Sequence, residues 1–82
     1  MNKILKELVR IELTKNQSLA LESFITDRGE EIFKNSNLLK VINRSDFNSV
    51  SVELAKWVID SGRRRPELAE LREKEIALFI KD

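Results

Sequence analysis

The chain has 82 residues, 41% of them hydrophobic and 35% charged, with 15 Lys and Arg against 14 Asp and Glu, a net charge of +1. This composition is typical of one compact soluble domain and excludes a disordered chain, and the charge is too small for a dedicated nucleic-acid-binding protein unless basic residues are locally concentrated. The sequence contains no Cys and no His, so disulfides and the two commonest transition-metal ligands are excluded and we expect no cofactor.

The first predicted element is an amphipathic helix over residues 2–12. Its apolar residues recur at helical spacing, with charged residues mostly on the other side. The apolar set is Ile4, Leu5, Leu8, Val9 and Ile11. Charges at Lys3, Lys6 and Glu7 come too early for a signal sequence, and no apolar run approaches the roughly 18 residues that a membrane span needs. We therefore expect a cytoplasmic site of action.

A second helix is predicted from about residue 15 to Gly29. The segment from Thr14 to Gln17 has the form of a capping box, in which the Thr14 hydroxyl accepts a hydrogen bond from the Gln17 backbone and the Gln17 side chain reaches back. Gly29 is suited to end the helix because glycine tolerates the left-handed conformation. The predicted core face of this helix is Ala20, Leu21, Phe24 and Ile25.

A short helix and a polar connection are predicted next. Residues 35–37 are good cap formers, and the apolar residues that follow predict a helix of about two turns over 38–42. Residues 43–49 are polar except for Phe47. We interpret them as a loop or a single helical turn that the Phe47 ring pins to the core.

The stretch Val50–Ile59 is the predicted centre of the fold. At about 100° per residue its apolar side chains point in several directions, which is typical of a helix with neighbours on several sides. We expect Ser49 or Ser51 to cap this helix and the Ser61-Gly62 pair to end it. Trp57, the only Trp, is expected to anchor the core, so that its truncation to Ala costs about 3–5 kcal/mol.

The last predicted helix runs from Pro66, which is favoured in a first helical turn, to about Ile80. Two charged residues, Arg72 and Glu75, fall inside its apolar arc, three positions apart. We interpret them as a partly buried ion pair or a polar tie to another helix. The alternative is a ligand contact.

Three consecutive arginines, Arg63, Arg64 and Arg65, precede this helix and allow two interpretations. They can form a solvated turn that compensates the negative end of the preceding helix dipole. They can also form a local basic patch that contacts phosphates or an acidic protein surface.

These patterns predict an all-α fold, a compact single-domain bundle of four to six helices around the central helix that contains Trp57. The residues expected in the structural core are Phe24, Leu38, Leu54, Trp57, Val58, Leu68, Ile76 and Phe79.

A set of landmarks resembles a known family in order and spacing. They are Leu13 to Gln17, Ala20 to Phe24, Gly29, Phe33, Ser36 to Leu39, Asn43, Trp57, Gly62, Pro66, Leu68, Arg72, Glu73, Glu75, Leu78 and Phe79. This series resembles the larger helical lobe of the phage-type lysozymes, the endolysin family. Four positions depart from the pattern: the family usually has Gly at the positions of Ser61 and Glu67, and often has Arg at that of Leu71 and Asn at that of Asp27. The resemblance covers residues 13–80 of a single domain over 1–82, with 1–12 as an additional N-terminal helix.

The resemblance implies a chain of phage or prophage origin that lacks the enzyme's catalytic groups. The family's catalytic Glu lies on a helix that precedes the matched region, so no catalytic residue can be assigned and we expect no enzymatic activity. Glycoside hydrolysis needs two carboxylates about 5–10 Å apart across a cleft. The pairs Glu22 with Asp27, Glu30 with Glu31, and Glu70 with Glu73 are interpreted as solvated helix faces.

The leading functional hypothesis is therefore a non-catalytic protein that acts by binding another protein. The face that a small lobe covers in the family is expected to be exposed, unless residues 1–12 fold back over it, and an uncovered apolar face is an interaction site. The candidate interaction residues are Ile4, Leu8, Ile11, Arg63, Arg64 and Arg65. The partner is a second copy or a bacterial or phage protein, which the chain inhibits or counters as an anti-defence factor. The alternatives are peptidoglycan binding without turnover, and nucleic-acid binding through the three arginines.

Overall fold

The computed structural model describes residues 3–60 and 62–81, which form six helices and a two-stranded hairpin. The elements are α1 (Lys3–Leu8), α2 (Lys15–Arg28), α3 (Glu30–Lys34), α4 (Asn37–Asn43), α5 (Phe47–Ala55), β1 (Ile59–Asp60), β2 (Arg63–Arg64) and α6 (Pro66–Ile80). The predicted all-α class is confirmed, with the small hairpin added between α5 and α6. The radius of gyration is 11.8 Å, close to the value of about 12 Å expected for a compact domain of this length. Within the described part, no helix combines the length and apolar character that a bilayer crossing requires.

Helix α2 begins and ends as its local sequence predicts. The Thr14 hydroxyl accepts a hydrogen bond from the Gln17 backbone N–H at 3.1 Å, and the Gln17 side-chain oxygen accepts one from the Thr14 N–H at 2.9 Å. At the other end, Gly29 adopts a φ of 98° and its N–H donates to the Ile25 carbonyl. Because L side chains rarely adopt this φ, the backbone favours glycine at this position.

The prediction of a continuous central helix over Val50–Ile59 is wrong. Helix α5 ends at Ala55, and Trp57 lies in a turn that leads into the hairpin. The N–H groups of Lys56 and Trp57 donate to carbonyls only three residues back, which tightens and ends the helix. Val52 and Ile59 are 57% and 54% exposed, so the stretch is not surrounded by neighbours. The central position belongs instead to α2, which packs mainly against α6.

The start of α5 also differs from the prediction. The helix begins at Phe47 rather than after a loop, so Ser49 and Ser51 lie inside it instead of capping it. Ser49 instead donates a side-chain hydrogen bond to Asp46, the residue before the helix, at 2.7 Å. The expected anchoring role of the half-buried Phe47 ring agrees with its edge-to-face contact with Phe79, with ring centroids 5.4 Å apart.

The buried core is built mainly from α2 and α4, with two residues each from α5 and the N-terminal segment (Leu5 and Val9), Phe33 from α3 and Phe79 from α6. Of the eight residues expected in the core, Phe24, Leu38, Leu54 and Phe79 are buried, whereas Trp57, Val58, Leu68 and Ile76 are half-buried. The latter four lie in the turn, the strand entry and α6, at the edge of a small domain that hides only about 60–65% of its surface. Trp57 and Ile76 pack against the core from outside.

Candidate functional site

Arg72 is the centre of a buried polar cluster that joins α2, α6 and the turn after α5. Its side chain is only 1% exposed. The guanidinium donates from Nη1 to Glu75 Oε1 at 2.6 Å, from Nη2 to Asp27 Oδ2, and from Nε to the Trp57 carbonyl at 2.9 Å. Together with Ser23, these residues form what we call the Arg72 cluster.

Both carboxylates of the Arg72 cluster are held in place. Glu75 is buried, and its second oxygen accepts a hydrogen bond from Ser23 Oγ at 2.5 Å. Asp27 lies at the surface of α2, as its interpretation on a solvated face expects, but it also forms an ion pair with the buried Arg72. The cluster therefore contains one guanidinium and two carboxylates that accept its hydrogen bonds, an arrangement that links helices.

The place of Arg72 and Glu75 in an apolar arc marks them in the sequence as a polar tie, whereas nothing in the sequence analysis connects Ser23 or Asp27 with them. These two residues lie four positions apart on α2, on either side of the core residue Phe24 in sequence. That spacing puts them on one helix face. A polar pair at this spacing beside core positions is the signal that could have identified them.

Trp57 lies at an open cleft of about 370 Å³, the Trp57 cleft. The cleft is lined by Glu31, Ile32, Asn35, Ser36, Asn37 and Trp57. The Trp57 and Phe24 rings pack edge-to-face with their centroids 5.5 Å apart, and the Arg28 guanidinium lies over the Trp57 ring, 5.6 Å from its centroid. The side chain is therefore fixed on its inner side while it still contributes to an accessible surface. Ile32, at the same cleft, is 37% exposed.

Glu53 on α5 is a further carboxylate near the Trp57 cleft, since it shares a side-chain hydrogen bond with the lining residue Asn37. Glu53 is buried and accepts a hydrogen bond from Lys56 Nζ at 3.0 Å. This hydrogen bond lowers the pKa of the Glu53 carboxyl below its ordinary value, against the opposing effect of burial, with further lowering from a hydrogen bond to Asn37 and from the Lys56 charge. Glu53 is thus held as a carboxylate and connects α5 to the Trp57 cleft through Asn37.

The lowered pKa of Glu53 predicts an acid-sensitive contribution to stability. The pKa of Glu53 is lower in the folded state than in the unfolded state. Its ionised form therefore stabilises the fold above the ordinary Glu pKa of about 4.3, and this stabilisation is lost as the pH falls through the folded-state pKa. Unfolding in urea followed from neutral to acid pH should show a stability difference between wild type and Glu53→Gln that is largest near neutrality and shrinks in acid. The pH dependence should weaken in Lys56→Met. If the stability difference between wild type and Glu53→Gln were the same at neutral and acid pH, the lowered pKa of Glu53 would be contradicted.

The apolar residues of the N-terminal segment cover the core rather than forming an exposed patch. Ile4, Leu8 and Ile11 are half-buried and pack against the core cluster. Two hydrogen bonds fasten the segment to α4, from the Arg10 N–H to Asn43 Oδ1 at 2.7 Å and from Asn43 Nδ2 to the Leu8 carbonyl at 3.0 Å. These three residues are therefore part of the packing of the domain and do not form an exposed apolar patch.

The three arginines occupy different environments. Arg63 and Arg64 are exposed on β2, whereas Arg65 is half-buried and donates its backbone N–H to the Val58 carbonyl at 2.9 Å. Arg64 lines a second open cleft, of about 570 Å³, whose other walls include Glu70 and Glu73. Arg64 therefore adjoins acidic residues, so the three arginines do not form one uniform positive surface. In the described part of the chain, no group of three acidic side chains is placed to bind a metal ion.

Comparison with known proteins gives a consistent similarity. A family model described as phage lysozyme matches residues 1–75, which include α1. The SAR-endolysin of Escherichia phage Mu is 38% identical over 72 residues, covering 88% of this chain and 42% of that protein. An endolysin of Acyrthosiphon pisum secondary endosymbiont phage 1 is 35% identical over 80 residues, covering 93% of this chain and 55% of the relative.

Solved structures agree with this similarity. The muramidase domain of SpmX from Asticaccaulis excentricus has a TM-score of 0.90 and 27% identity, covering 98% of this chain and 57% of that one. A P22 lysozyme mutant has a TM-score of 0.85 and 28% identity, covering 95% and 53%. The resemblance to the helical lobe found in the sequence is confirmed. The chain spans about half the length of these two structures, and 42% and 55% of the two endolysins.

Proposed function

Since this chain belongs to the phage lysozyme family, we propose that it forms the helical lobe of that fold and acts without hydrolysing glycans, by binding another protein in the cytoplasm. The partner is a bacterial or phage protein, which the chain inhibits or counters as an anti-defence factor. The observation that carries this proposal is the Trp57 cleft, where an exposed Ile32 lies beside a half-buried aromatic ring.

The Arg72 cluster supports a function without catalysis. Hydrolysis of a glycoside needs one carboxyl group that carries a proton to the leaving oxygen and a second that acts from the other side of the sugar. Asp27 and Glu75 converge, but both accept hydrogen bonds from the same guanidinium, and Glu75 is buried beneath it. These contacts suit a structural tie between α2 and α6 rather than an acid and a nucleophile.

The composition of the Trp57 cleft favours a protein as its ligand. Aromatic and apolar anchors surrounded by polar groups are typical of the centres of protein interfaces. Trp57 and Ile32 provide such anchors, and Asn35 and Asn37 provide the polar surroundings. The Arg28 guanidinium holds the Trp57 ring, so the surface is ordered before a partner binds, which lowers the entropic cost of association.

Ile32 gives the sharpest test of protein binding. Ile32→Asp places a charge in the cleft, and we expect it to abolish capture of the partner from host cytoplasm, because an uncompensated charge is costly to desolvate. Leu19→Asp is the matched control, since Leu19 is an apolar residue of similar exposure on α2. A partner retained by wild type and Leu19→Asp but lost by Ile32→Asp supports the cleft; retention by Ile32→Asp argues against it.

Activity is tested separately by a turbidity assay on cell walls. The proposal expects no clearing by the purified chain, and clearing would overturn the non-catalytic assignment whatever the capture experiment shows.

A second candidate function, peptidoglycan binding without turnover, is favoured by one feature of the same cleft. The amides of Asn35 and Asn37 beside the Trp57 ring combine hydrogen-bonding groups with an apolar surface, the combination that typical ligand pockets use. Trp57 fluorescence during titration with soluble glycan fragments, together with retention on isolated cell walls, separates the two candidates. No spectral change and no retention at low salt would remove this one.

A further inference from the structure

The hairpin places an apolar and a basic side chain next to each other at the surface. Ile59 on β1 pairs with Arg64 on β2 in antiparallel register. Directly paired residues of neighbouring strands project to the same side. Ile59 is 54% exposed and Arg64 is also exposed.

The start of α6 continues this surface with the opposite charge. The cleft of about 570 Å³ is lined by Arg64, Pro66, Ala69, Glu70 and Glu73. The lining thus combines the apolar Pro66 and Ala69 with the acidic Glu70 and Glu73. Ile59, Arg64, Pro66, Ala69, Glu70 and Glu73 are called the hairpin face below.

Two charged residues of the hairpin face, Arg64 and Glu73, have no ion-pair partner among the residues that the structure describes. Among the side chains that the structure describes, no carboxylate lies within 4.0 Å of the Arg64 guanidinium and no cation within 4.0 Å of the Glu73 carboxylate. Glu70 has only a 3.7 Å contact with Lys74, and both of these side chains are largely exposed. Within the described residues, the face therefore carries an unpaired cation at Arg64 and an unpaired carboxylate at Glu73, beside the apolar Pro66 and Ala69.

We propose that the hairpin face binds a second copy of this chain in a twofold-symmetric dimer. A twofold interface requires a surface that complements itself. With two copies facing each other, Arg64 of each copy meets Glu70 and Glu73 of the other. Each Ile59 packs against Pro66 and Ala69 of the opposite copy. The carboxylates in the same cleft repel phosphate, so a nucleic acid fits this face less well than the second copy does.

The physics of these contacts defines the dimer's properties. Exposed ion pairs contribute at most about 1 kcal/mol each and are screened by salt, so affinity depends on burying Ile59 while the charges fix the partner's orientation. The dimer is therefore weak and salt-sensitive. The hairpin face shares no residue with the Trp57 cleft. The dimer can therefore be tested separately from the proposed function.

A charge-exchange experiment tests the dimer by sedimentation velocity. Wild type at high micromolar concentration and low salt should sediment partly as a dimer, and the dimer should dissociate at high salt. Arg64→Glu alone and Glu70→Arg with Glu73→Arg together should each raise the dimer dissociation constant by about tenfold or more, since like charges then oppose each other. An equimolar mixture of the two variants should recover association.

Two control variants test whether the hairpin face alone is responsible for dimerisation. Arg44→Glu changes an exposed arginine outside the hairpin face and should leave the dimer intact, and Ile32→Asp should dimerise like wild type even if it loses the protein partner. Circular dichroism confirms that each variant is folded. A strictly monomeric wild type, unchanged dimerisation in the reversal variants, or a mixture that fails to associate would each overturn the proposal.

Discussion

Replacing Arg72 with Met is expected to lower the free energy of unfolding by about 3–5 kcal/mol, the cost typical of breaking a buried ion pair from one side. The guanidinium satisfies Glu75, Asp27 and the Trp57 carbonyl at once. Its loss leaves the buried Glu75 carboxylate with only the Ser23 hydroxyl as a hydrogen-bond donor. Urea unfolding followed by circular dichroism measures the change, with Arg44→Met as an exposed control expected to change stability by no more than about 0.5 kcal/mol.

A compensated variant shows whether unpaired charge causes the loss. The triple variant with Arg72→Met, Asp27→Asn and Glu75→Gln also removes the two carboxylate charges that lose their partner in Arg72→Met. We expect it to be more stable than Arg72→Met alone. Arg72→Lys, which keeps the charge but not the three-way geometry, should fall between wild type and Arg72→Met. If the compensated variant were no more stable than the single one, the cost would come from lost packing against Phe24, whose ring lies 5.0 Å from the guanidinium.

The local part of the fold was predictable because its signals lie within a few residues of each other. The Thr14–Gln17 capping box and the Gly29 terminus are interactions across three or four positions, and both occur as their residue types indicate. Pro66 likewise occupies the first turn of α6. Such features need no knowledge of the rest of the chain, since the groups concerned are covalently close.

The end of α5 was not predictable for the opposite reason. An apolar run continues through Ile59, so its pattern favours further helix, yet the chain turns after Ala55. The Trp57 carbonyl accepts its hydrogen bond from Arg72, 15 residues further on, which gives this non-helical segment a partner for its buried polar group. A contact between residues so far apart in the chain can override the local helix propensity, and the residues around Trp57 contain no pattern that predicts it.

The candidate site shows the same division. Arg72 and Glu75 are charged residues at apolar positions of α6, so the helical pattern identifies them. Asp27 lies 45 residues from Arg72 in sequence and contacts it only because α2 packs on α6. The Trp57 cleft combines α3, α4 and the turn after α5. Its residues share no motif, so their proximity follows from tertiary structure alone.

Truncation of Phe24 to Ala should destabilise the fold more than truncation of Trp57. Phe24 is fully buried and contacts the rings of Phe33 and Trp57, with centroids 6.2 and 5.5 Å away, as well as Arg72. We expect Phe24→Ala to cost about 3–5 kcal/mol. Trp57 is only half-buried, so the similar cost expected from the sequence alone is too high, and a smaller loss should result since less apolar area returns to water.

The two truncations are compared by urea unfolding, monitored by circular dichroism because Trp57→Ala removes the only Trp. If Phe24→Ala is too unstable to measure, Phe24→Leu leaves a smaller cavity and keeps the ranking measurable. A greater loss for Trp57→Ala than for Phe24→Ala would mean that the turn after α5, rather than α2, is the centre of this core. The order of the two stability losses thus decides whether the fold depends mainly on the packing of α2 against α6. The same packing fixes the geometry of the Arg72 cluster and the position of Phe24 against the Trp57 ring.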